Sequence, residues 1–182
     1  MKITKTAFQG LCIIEPRLFE DDRGYFYESY NAKSFKIDGI DMHFVQDNQS
    51  HSQRGVLRGL HFQKPPFAQT KLVSVISGVI QDVVVDLRRA QPTYGQYYAI
   101  DLSSENKKQL LIPKGFAHGF LVLSEFADVL YKCDEYYHPE AEGGILYNDP
   151  TVNITWDKNI STPQLSQKDL SLGLMSALKD IF

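Results

Sequence analysis

Two histidines stand out among the residues that could carry out chemistry. His61 lies in VLRGLHFQ and His118 lies in IPKGFAHGFLVL, so both are embedded in apolar, strand-like sequence close to a cationic residue. An isolated histidine in such surroundings is often a core residue whose ring is simply hydrogen-bonded, and this interpretation stays open for both. Gly59 and Gly119 interrupt the same strand patterns, which indicates a bulge or the close approach of another group.

Lysine and tyrosine complete a set of residue types suited to proton transfer. A histidine can accept a proton near neutral pH, a lysine supplies a fixed positive charge, and a tyrosine hydroxyl can return a proton. Such a set suits removal of a proton next to a carbonyl group, because a cation beside the carbonyl oxygen stabilises the charge that develops there. The residue types therefore point to acid–base catalysis.

Other kinds of catalytic site have no support in the sequence. The 5 histidines form no H-x-H or H-x-x-x-H pair, although a metal ion needs at least three convergent protein ligands. Cys12 and Cys133 are too far apart for a C-x-x-C site. No G-x-G-x-x-G, Walker or G-x-S-x-G motif is present. We therefore expect neither a metal nor a cofactor.

Composition indicates a single globular domain spanning residues 1–182. The chain is 43% hydrophobic and 23% charged, without repeats or linker-like tracts. It contains no apolar run long enough to span a membrane and no secretory signal, so we expect a cytoplasmic protein. The net charge of −3 argues against nucleic-acid binding. The N-terminal half is slightly basic, which suits a small anionic ligand, although scattered surface charge explains this balance equally well.

Strand signals dominate the chain. Short runs rich in Val, Ile, Tyr and Phe, such as CIIEP, KLVSVI, VIQDVVVDL and HGFLVLS, alternate with turn-forming residues. Roughly ten such runs predict an antiparallel sandwich or barrel. Helical spacing is confined to a turn or two near residues 32–35 and to the tail, where Leu174, Leu178 and Ile181 fall at i, i+4 and i+7.

The stretch KLVSVISGVIQDVVVDL predicts a β-hairpin with a two-residue turn at Ser77–Gly78. Strand alternation places one set of side chains on a single face: Lys71, Val73, Val75, Ile80, Asp82, Val84 and Asp86. Two interpretations of this face remain open. Either this face is exposed to solvent, or the hairpin is covered on both sides. In the second case Lys71 and Asp82 are polar groups in a cavity that need each other.

Motifs along the whole chain resemble those of the dTDP-4-dehydrorhamnose 3,5-epimerase family. In chain order they read DDRGYFYESYN, FVQDNQS, GVLRGLHFQ, AQTKLV, DVVVDLR, PTYGQ, ENKKQLLIPKGFAHGF, LYKCDEYY and LSQKD. The resemblance implies an all-β, cupin-like double-stranded β-helix (jelly roll) with a few short helices. It also implies a homodimer that exchanges strands and uses no metal or cofactor.

The resemblance also implies roles for individual residues. His61 of RGLHF would be the base, Asp169 of LSQKD its partner, Tyr131 of LYK the proton donor, and Lys71 the cation near the keto oxygen. The implied contacts to the nucleotide and sugar are Arg23, Glu28, Gln46, Asp47, Asn48, Arg58, His118, Glu142 and Lys168. The implied reaction is epimerisation at C3 and C5 of dTDP-4-dehydro-6-deoxy-D-glucose, which gives dTDP-4-dehydro-L-rhamnose.

Two alternatives and one geometric conflict accompany this interpretation. The chain could epimerise only C3 or only C5, or isomerise the keto group, on the same fold; it could also be a non-catalytic nucleotide-sugar-binding jelly roll. Regular alternation through residues 57–63 places Arg58 and His61 on opposite faces. Both can serve the same reaction only if Gly59 forms a bulge or if Arg58 reaches the site of a partner subunit.

Overall fold

The protein consists mainly of antiparallel β-strands arranged in two large sheets. The computed structural model describes residues 1–37, 39–178 and 182. One sheet has six strands in the order β1-β2-β10-β7-β12-β5, and the other has five in the order β13-β6-β11-β8-β9. The strands of the first sheet are β1 (Lys2–Lys5), β2 (Cys12–Glu15), β10 (Gln109–Ile112), β7 (Lys71–Ser77), β12 (Phe126–Cys133) and β5 (Gln46–Gln53). Those of the second are β13 (Glu142–Gly144), β6 (Leu57–Gln63), β11 (Phe116–Val122), β8 (Val79–Asp86) and β9 (Tyr97–Ser103).

The smaller elements lie outside these sheets. Strands β3 (Phe19–Asp21) and β4 (Gly24–Phe26) pair only with each other as a two-stranded hairpin. The helices are α1 (Ala32–Ile37), α2 (Gln167–Leu170) and two 3₁₀ turns, Pro139–Ala141 and Met175–Ala177. Helix α1 confirms the first predicted helical segment. In the described part of the tail, the predicted helical repeat contains the 3₁₀ turn Met175–Ala177, and Ile181 of the repeat lies outside the described residues. No helix of the described chain is both long and apolar enough to cross a membrane.

Apolar side chains from both sheets form the core between them. Val73 and Val75 of β7 meet Ile80 and Val84 of β8 in this core, and each such side chain contributes roughly 1.5–3 kcal/mol when it leaves water. Two further clusters cover the outer faces. The chain after β13 packs on the five-stranded sheet, and α1 packs on the six-stranded sheet. The fold is therefore the all-β sandwich that the sequence predicts, and a jelly roll fits it.

The predicted hairpin between β7 and β8 is wrong. Strand β7 pairs with β10 and β12, whereas β8 pairs with β9 and β11, so the turn at Ser77–Gly78 carries the chain from one sheet to the other. Alternation fixes which side chains share a face, but it is equally satisfied by strands that lie side by side and by strands that face each other across a core. The predicted face itself points into the sandwich, which is the covered interpretation.

A bulge at Gly59 resolves the conflict between Arg58 and His61. His61 pairs with His118 and Arg58 with Phe120, so two residues of β6 oppose one residue of β11. Gly59 has φ +119°, and a Cβ atom there would lie 2.6 Å from the Cα atom of Gly119. Only glycine fits this position. The bulge shifts the alternation by one residue, and Arg58 and His61 therefore line the same cavity.

We predict that Gly59→Ala destabilises the protein by at least ~2 kcal/mol, because it adds backbone strain and a backbone clash at the bulge. The change is measured as the free energy of unfolding in urea. Gly173→Ala is the matched control, since an added Cβ there meets no heavy atom within 4 Å. Equal stability of the two variants would contradict this account of the bulge.

Candidate active site

Two adjoining cavities meet at three of the predicted catalytic residues. The larger has a volume of about 550 Å³ and is lined by β5, β6, β7, β11, β12 and the segment that leads into α2. The smaller has a volume of about 190 Å³. His61, Lys71 and Tyr131 line both cavities, so they surround the junction between them.

His61 forms a hydrogen-bonded pair with Asp169. Its Nε2 atom lies 2.7 Å from Oδ1 of Asp169, a carboxylate that is almost fully buried. Because an ionised carboxylate can only accept, Nε2 of a neutral ring donates, and Nδ1 is left as the basic nitrogen. Asp169 is held on α2 by Ser166, whose hydroxyl caps the helix by accepting from the Asp169 backbone N–H at 3.1 Å.

The surroundings of His61 favour a neutral imidazole. Burial lowers the pKa of His61 below its ordinary value, and the nearby charge of Lys71 acts in the same direction. Asp169 and Glu142 oppose this shift, because a negative charge stabilises the imidazolium. The ring is therefore ready to accept a proton at neutral pH, and a carboxylate stands ready to stabilise the charge that results.

Lys71 and Tyr131 are diagonal neighbours on the adjacent strands β7 and β12 of the six-stranded sheet. The Lys71 Nζ atom lies 5.6 Å from the centre of the Tyr131 ring. Burial lowers the pKa of Lys71 and raises that of Tyr131, because both charged forms lose hydration. Tyr131 therefore keeps its proton at neutral pH. Lys71 makes no salt bridge within 4 Å to any described residue, so its ammonium group is available to a ligand.

A second histidine–aspartate pair lies in the wall of the larger cavity. Nε2 of His118 lies 2.8 Å from Oδ2 of Asp82, and Asp82 is fully buried. The other carboxylate oxygen, Oδ1 of Asp82, is buried without a hydrogen-bond partner in the described structure. His118 is thus not an ordinary core residue, since its ring lines the cavity and is held by a carboxylate.

Several of the predicted substrate contacts also line the cavities. Arg58 and Lys168 line the larger one, whereas Gln46, Asn48 and Glu142 line the smaller one. Two polar contacts hold members of this group in place. The Nε atom of Arg58 donates to the Ser52 hydroxyl at 3.0 Å. The Lys168 Nζ atom lies 2.6 Å from Oε2 of Glu142.

Glu142 is the most heavily bonded of these residues. It also accepts a hydrogen bond of 2.8 Å from the Tyr137 hydroxyl. Burial opposes its ionisation, but the hydrogen bonds from Lys168 and Tyr137 outweigh burial, and the pKa of Glu142 falls below its ordinary value. An ionised, clamped Glu142 joins β13 to α2, the helix that carries Asp169.

Three predicted substrate residues have other surroundings in this chain. Arg23 lies on the β3–β4 hairpin, where its side chain is 90% exposed and pairs with Asp21. Glu28 accepts a hydrogen bond from Asn31 at 2.8 Å. Asp47 lies on β5 and pairs with Lys132 at 2.9 Å.

Ser50 and Ser166 also line the larger cavity, and a sequence pattern indicates the position of each. Ser50 lies on β5 two positions after Asn48, so alternation places both on one face, and its buried hydroxyl has no hydrogen-bond partner among the described residues. Ser166 begins the pattern S-x-x-D, which is typical of a helix N-cap followed by an acidic third residue. That cap is what orients Asp169.

A metal site is not built from the described residues: within residues 1–37, 39–178 and 182, no three His, Cys, Asp or Glu side chains come together as ligands. Around a polar cavity the site brings together an imidazole held by a carboxylate, an ammonium with no contact ion pair among the described residues, and a protonated phenol. An all-β fold with this site is an enzyme for acid–base catalysis on a small molecule.

Comparison with known proteins identifies the family. The family model described as dTDP-4-dehydrorhamnose 3,5-epimerase matches residues 5–177. The dTDP-4-dehydrorhamnose 3,5-epimerase of Pseudomonas aeruginosa is 52% identical over 170 residues, 93% of each chain, and that of Salmonella typhimurium is 49% identical over 176 residues, 96% of each chain. The structure of dTDP-6-deoxy-D-glucose-3,5-epimerase from Legionella pneumophila in complex with dTDP-4-keto-L-rhamnose superposes with a TM-score of 0.91 at 50% identity, covering 98% of this chain and 94% of that one. The chain belongs to the dTDP-4-dehydrorhamnose 3,5-epimerase family and is an isomerase.

We predict that Asp169→Asn lowers the pKa of His61 further, by about 1 unit or more, because the variant removes the charge that stabilises the imidazolium. The measurement is an NMR titration of the imidazole carbons. Asp128→Asn is the matched control, because Asp128 forms the same kind of pair with His51 at 2.8 Å on the surface. A His61 titration that is the same in the parent and in Asp169→Asn would refute the electrostatic role of Asp169.

Proposed function

We propose that this single-domain chain acts in the cytoplasm as a homodimer and epimerises C3 and C5 of dTDP-4-dehydro-6-deoxy-D-glucose, giving dTDP-4-dehydro-L-rhamnose. The observation that carries this proposal is the convergence of His61, Lys71 and Tyr131 at the junction of the two cavities. A base, a cation and an acid are the three groups that inversion next to a ketone requires.

The ketone of the substrate explains why one site serves two carbons. The carbonyl at C4 acidifies the hydrogens on both C3 and C5, because removal of either proton moves the resulting charge onto the same oxygen. A fixed positive charge beside that oxygen stabilises the enolate, and this kind of electrostatic help is usually the largest contribution to catalysis. Lys71 is the residue for this role, since its ammonium has no contact ion pair within the described chain.

His61 is the base that removes each proton. Its lowered pKa keeps the imidazole neutral before the reaction. Asp169 then stabilises the imidazolium and fixes the ring, as the acidic residue of a catalytic triad does. The 2.7 Å bond between the two residues supports this assignment.

Tyr131 is the acid that returns a proton from the opposite face of the sugar ring. Inversion requires that the proton leave from one face and arrive on the other. The raised pKa of Tyr131 keeps the phenol protonated until the enolate forms. Its position beside Lys71 on one sheet, with His61 on the other, supports a role beside the developing enolate and on the side away from the base.

Basic and amide side chains around the cavities suit the nucleotide part of the substrate. Arg58 can bind a diphosphate bidentately, because the guanidinium group matches the geometry of phosphate oxygens. We assign the remaining contacts to the residues of both cavity walls: Gln46, Asn48, His118, Glu142 and Lys168. Asp47 lies between Gln46 and Asn48 on β5, and we assign it to the same group of contacts.

The β3–β4 hairpin supports a strand-exchanged dimer. Phe19, Tyr25 and Phe26 of this hairpin are 52%, 57% and 68% exposed, and an apolar ribbon paired only with itself gains stability by docking on another surface. Arg23 lies on the same hairpin. We assign Arg23 and Glu28 to the nucleotide bound in the partner subunit, which explains why they lie apart from the cavities of their own chain.

We predict that Tyr131→Phe separates proton removal from inversion. The enolate still forms, so deuterium from heavy water enters at C3 and C5 faster than epimerised product appears, with a larger gap than in the parent enzyme. NMR follows both in one tube. His61→Ala is the matched control and loses exchange and product together, by roughly 10²-fold or more. A parallel loss of exchange and product in Tyr131→Phe would contradict the two-face assignment, and parent exchange at one carbon would indicate a single-carbon epimerase.

We predict that two impaired variants restore each other if Arg23 serves the partner's site. Mixed dimers of Arg23→Ala and His61→Ala contain one intact site, so an equal mixture recovers about a quarter of the parent activity. The control mixture of His61→Ala with Asp169→Asn recovers none, because both changes affect a site through the same chain. Activity is measured on all the dimers purified together after co-expression of the two variants in equal amounts. Failure of the first mixture to exceed the second would refute strand exchange.

A further inference from the structure

Asp82 is a fully buried carboxylate behind the wall of the catalytic cavity, where it holds the cavity residue His118, and the mechanism above gives it no part. It lies on β8, on the face that points into the sandwich, while Lys71 lies on β7 in the opposite sheet and faces the same interior. One oxygen of Asp82 holds the His118 ring at 2.8 Å. The second, Oδ1, is buried with no partner among the residues that the structure describes. An unpaired buried carboxylate oxygen is costly unless it interacts with a charge.

Lys71 makes no contact ion pair within the part of the chain that the structure describes, and its ammonium lies over the Tyr131 ring. The titratable groups that act on it come from four strands: His61 of β6, Asp82 of β8, Tyr131 and Cys133 of β12, and Glu142 of β13. Burial lowers the pKa of Lys71, and Cys133, Asp82 and Glu142 oppose that effect. Some group must therefore offset the loss of hydration if Lys71 is to stay charged.

Two of the three opposing groups are poorly suited to this task. Burial raises the pKa of the Cys133 thiol, so Cys133 brings no negative charge at neutral pH. Glu142 is ionised, but its charge is already neutralised by Lys168 at 2.6 Å and by the Tyr137 hydroxyl at 2.8 Å. Asp82 is the remaining group that can offset the lost hydration of Lys71, and its Oδ1 atom has no hydrogen-bond partner in the described structure.

We propose that Asp82 is a positioning residue that acts as the buried counter-charge of Lys71, keeping the ammonium ionised without touching it. The proposal rests on the function given above for Lys71. A contact ion pair would occupy the hydrogens of the ammonium group and draw it away from the ligand. A carboxylate on the opposite sheet stabilises the charge across a region of low dielectric and leaves those hydrogens free for the enolate oxygen.

Asp82→Asn tests the counter-charge directly, since the amide has nearly the same size and can still accept from His118. The Lys71 titration is followed by NMR with lysine labelled with ¹³C at Cε, and its resonance is identified by its loss in Lys71→Arg. We expect the pKa of Lys71 to fall by about 1 unit or more in Asp82→Asn. An unchanged Lys71 titration would overturn the proposal.

Asp101→Asn is the matched control. Asp101 pairs with Gln81, the residue before Asp82, and is exposed on the outer face of the same sheet. Asp101→Asn removes the same charge from the neighbouring strand, but water screens that charge from Lys71. We expect the Lys71 titration of this variant to match the parent. An equal fall in Asp101→Asn and Asp82→Asn would show a general effect of net charge and would overturn the proposal.

The pH profile of kcat links the counter-charge to catalysis. Turnover should fall at high pH as Lys71 loses its proton, and in Asp82→Asn this alkaline limb should move to lower pH by the same interval as the Lys71 titration. A merely structural role would lower kcat at every pH and leave the limb in place. If the titration moves and the limb does not, the counter-charge is supported and the assigned role of Lys71 in the reaction fails, so the two claims are separable.

A measurement without a change at residue 82 covers the case in which Asp82→Asn does not fold. In the parent protein, the ¹³Cγ chemical shift of Asp82 should show a step at the pH where Lys71 loses its proton. That step should vanish in Lys71→Met. Its absence from the parent, or its survival in Lys71→Met, would refute the coupling between the two residues.

Discussion

Burial of the titratable side chains is the constraint on which the rest of the site depends. Two facing sheets place His61, Lys71 and Tyr131 where charges are poorly hydrated. The pKa of each group therefore shifts in the direction that favours its uncharged form. For the roles proposed for His61 and Tyr131 this is an advantage, because a base needs an unprotonated imidazole and an acid needs a protonated phenol. For Lys71 it is a cost, since the same burial works against the charge that the enolate needs.

The sandwich accommodates these polar groups by pairing most of them and leaving a few free. Asp169 serves His61, Ser52 serves Arg58, and Lys168 serves Glu142. The atoms left without partners in the described structure are the Ser50 hydroxyl, one oxygen of Asp82 and Oε1 of Gln109. Ser50 lines the cavity and Asp82 holds His118, which lines it, whereas Gln109 lies elsewhere. A folded protein rarely leaves buried polar atoms unpaired, so the two near the cavity mark the places where the cavity is shaped for something other than its own stability.

Strand alternation in the sequence predicted much of the fold but little of its pairing. The pattern around Lys71 and Asp82 correctly identified the side chains of one face, yet it could not distinguish a hairpin from two strands in opposite sheets, because both satisfy a period of two. Gly59 was recognisable as a break in the pattern, and the direction of its effect needed the register of β11. Asp169 could be linked to His61 only through resemblance, since 108 residues separate them and no local pattern joins LSQKD to a strand. Ser50 and Ser166 lie within the motifs FVQDNQS and LSQKD, but an uncharged serine in a motif does not by itself indicate a cavity residue.

Asp169 sits on a helix of only four residues, so the active site can lose its structure while the rest of the fold stays intact. Helix α2 is stabilised internally by its Ser166 cap, which is worth only ~1 kcal/mol, and is joined to other elements by the Lys168–Glu142 pair and the bond from Asp169 to His61. The sandwich can open only by exposing its whole apolar core. Segments with few ties detach first and re-form often while the remainder stays native. Heating will therefore abolish turnover by unfolding α2 before the two sheets unfold. Substitutions around α2 are for this reason better candidates for a thermostable variant of the enzyme than substitutions in the core.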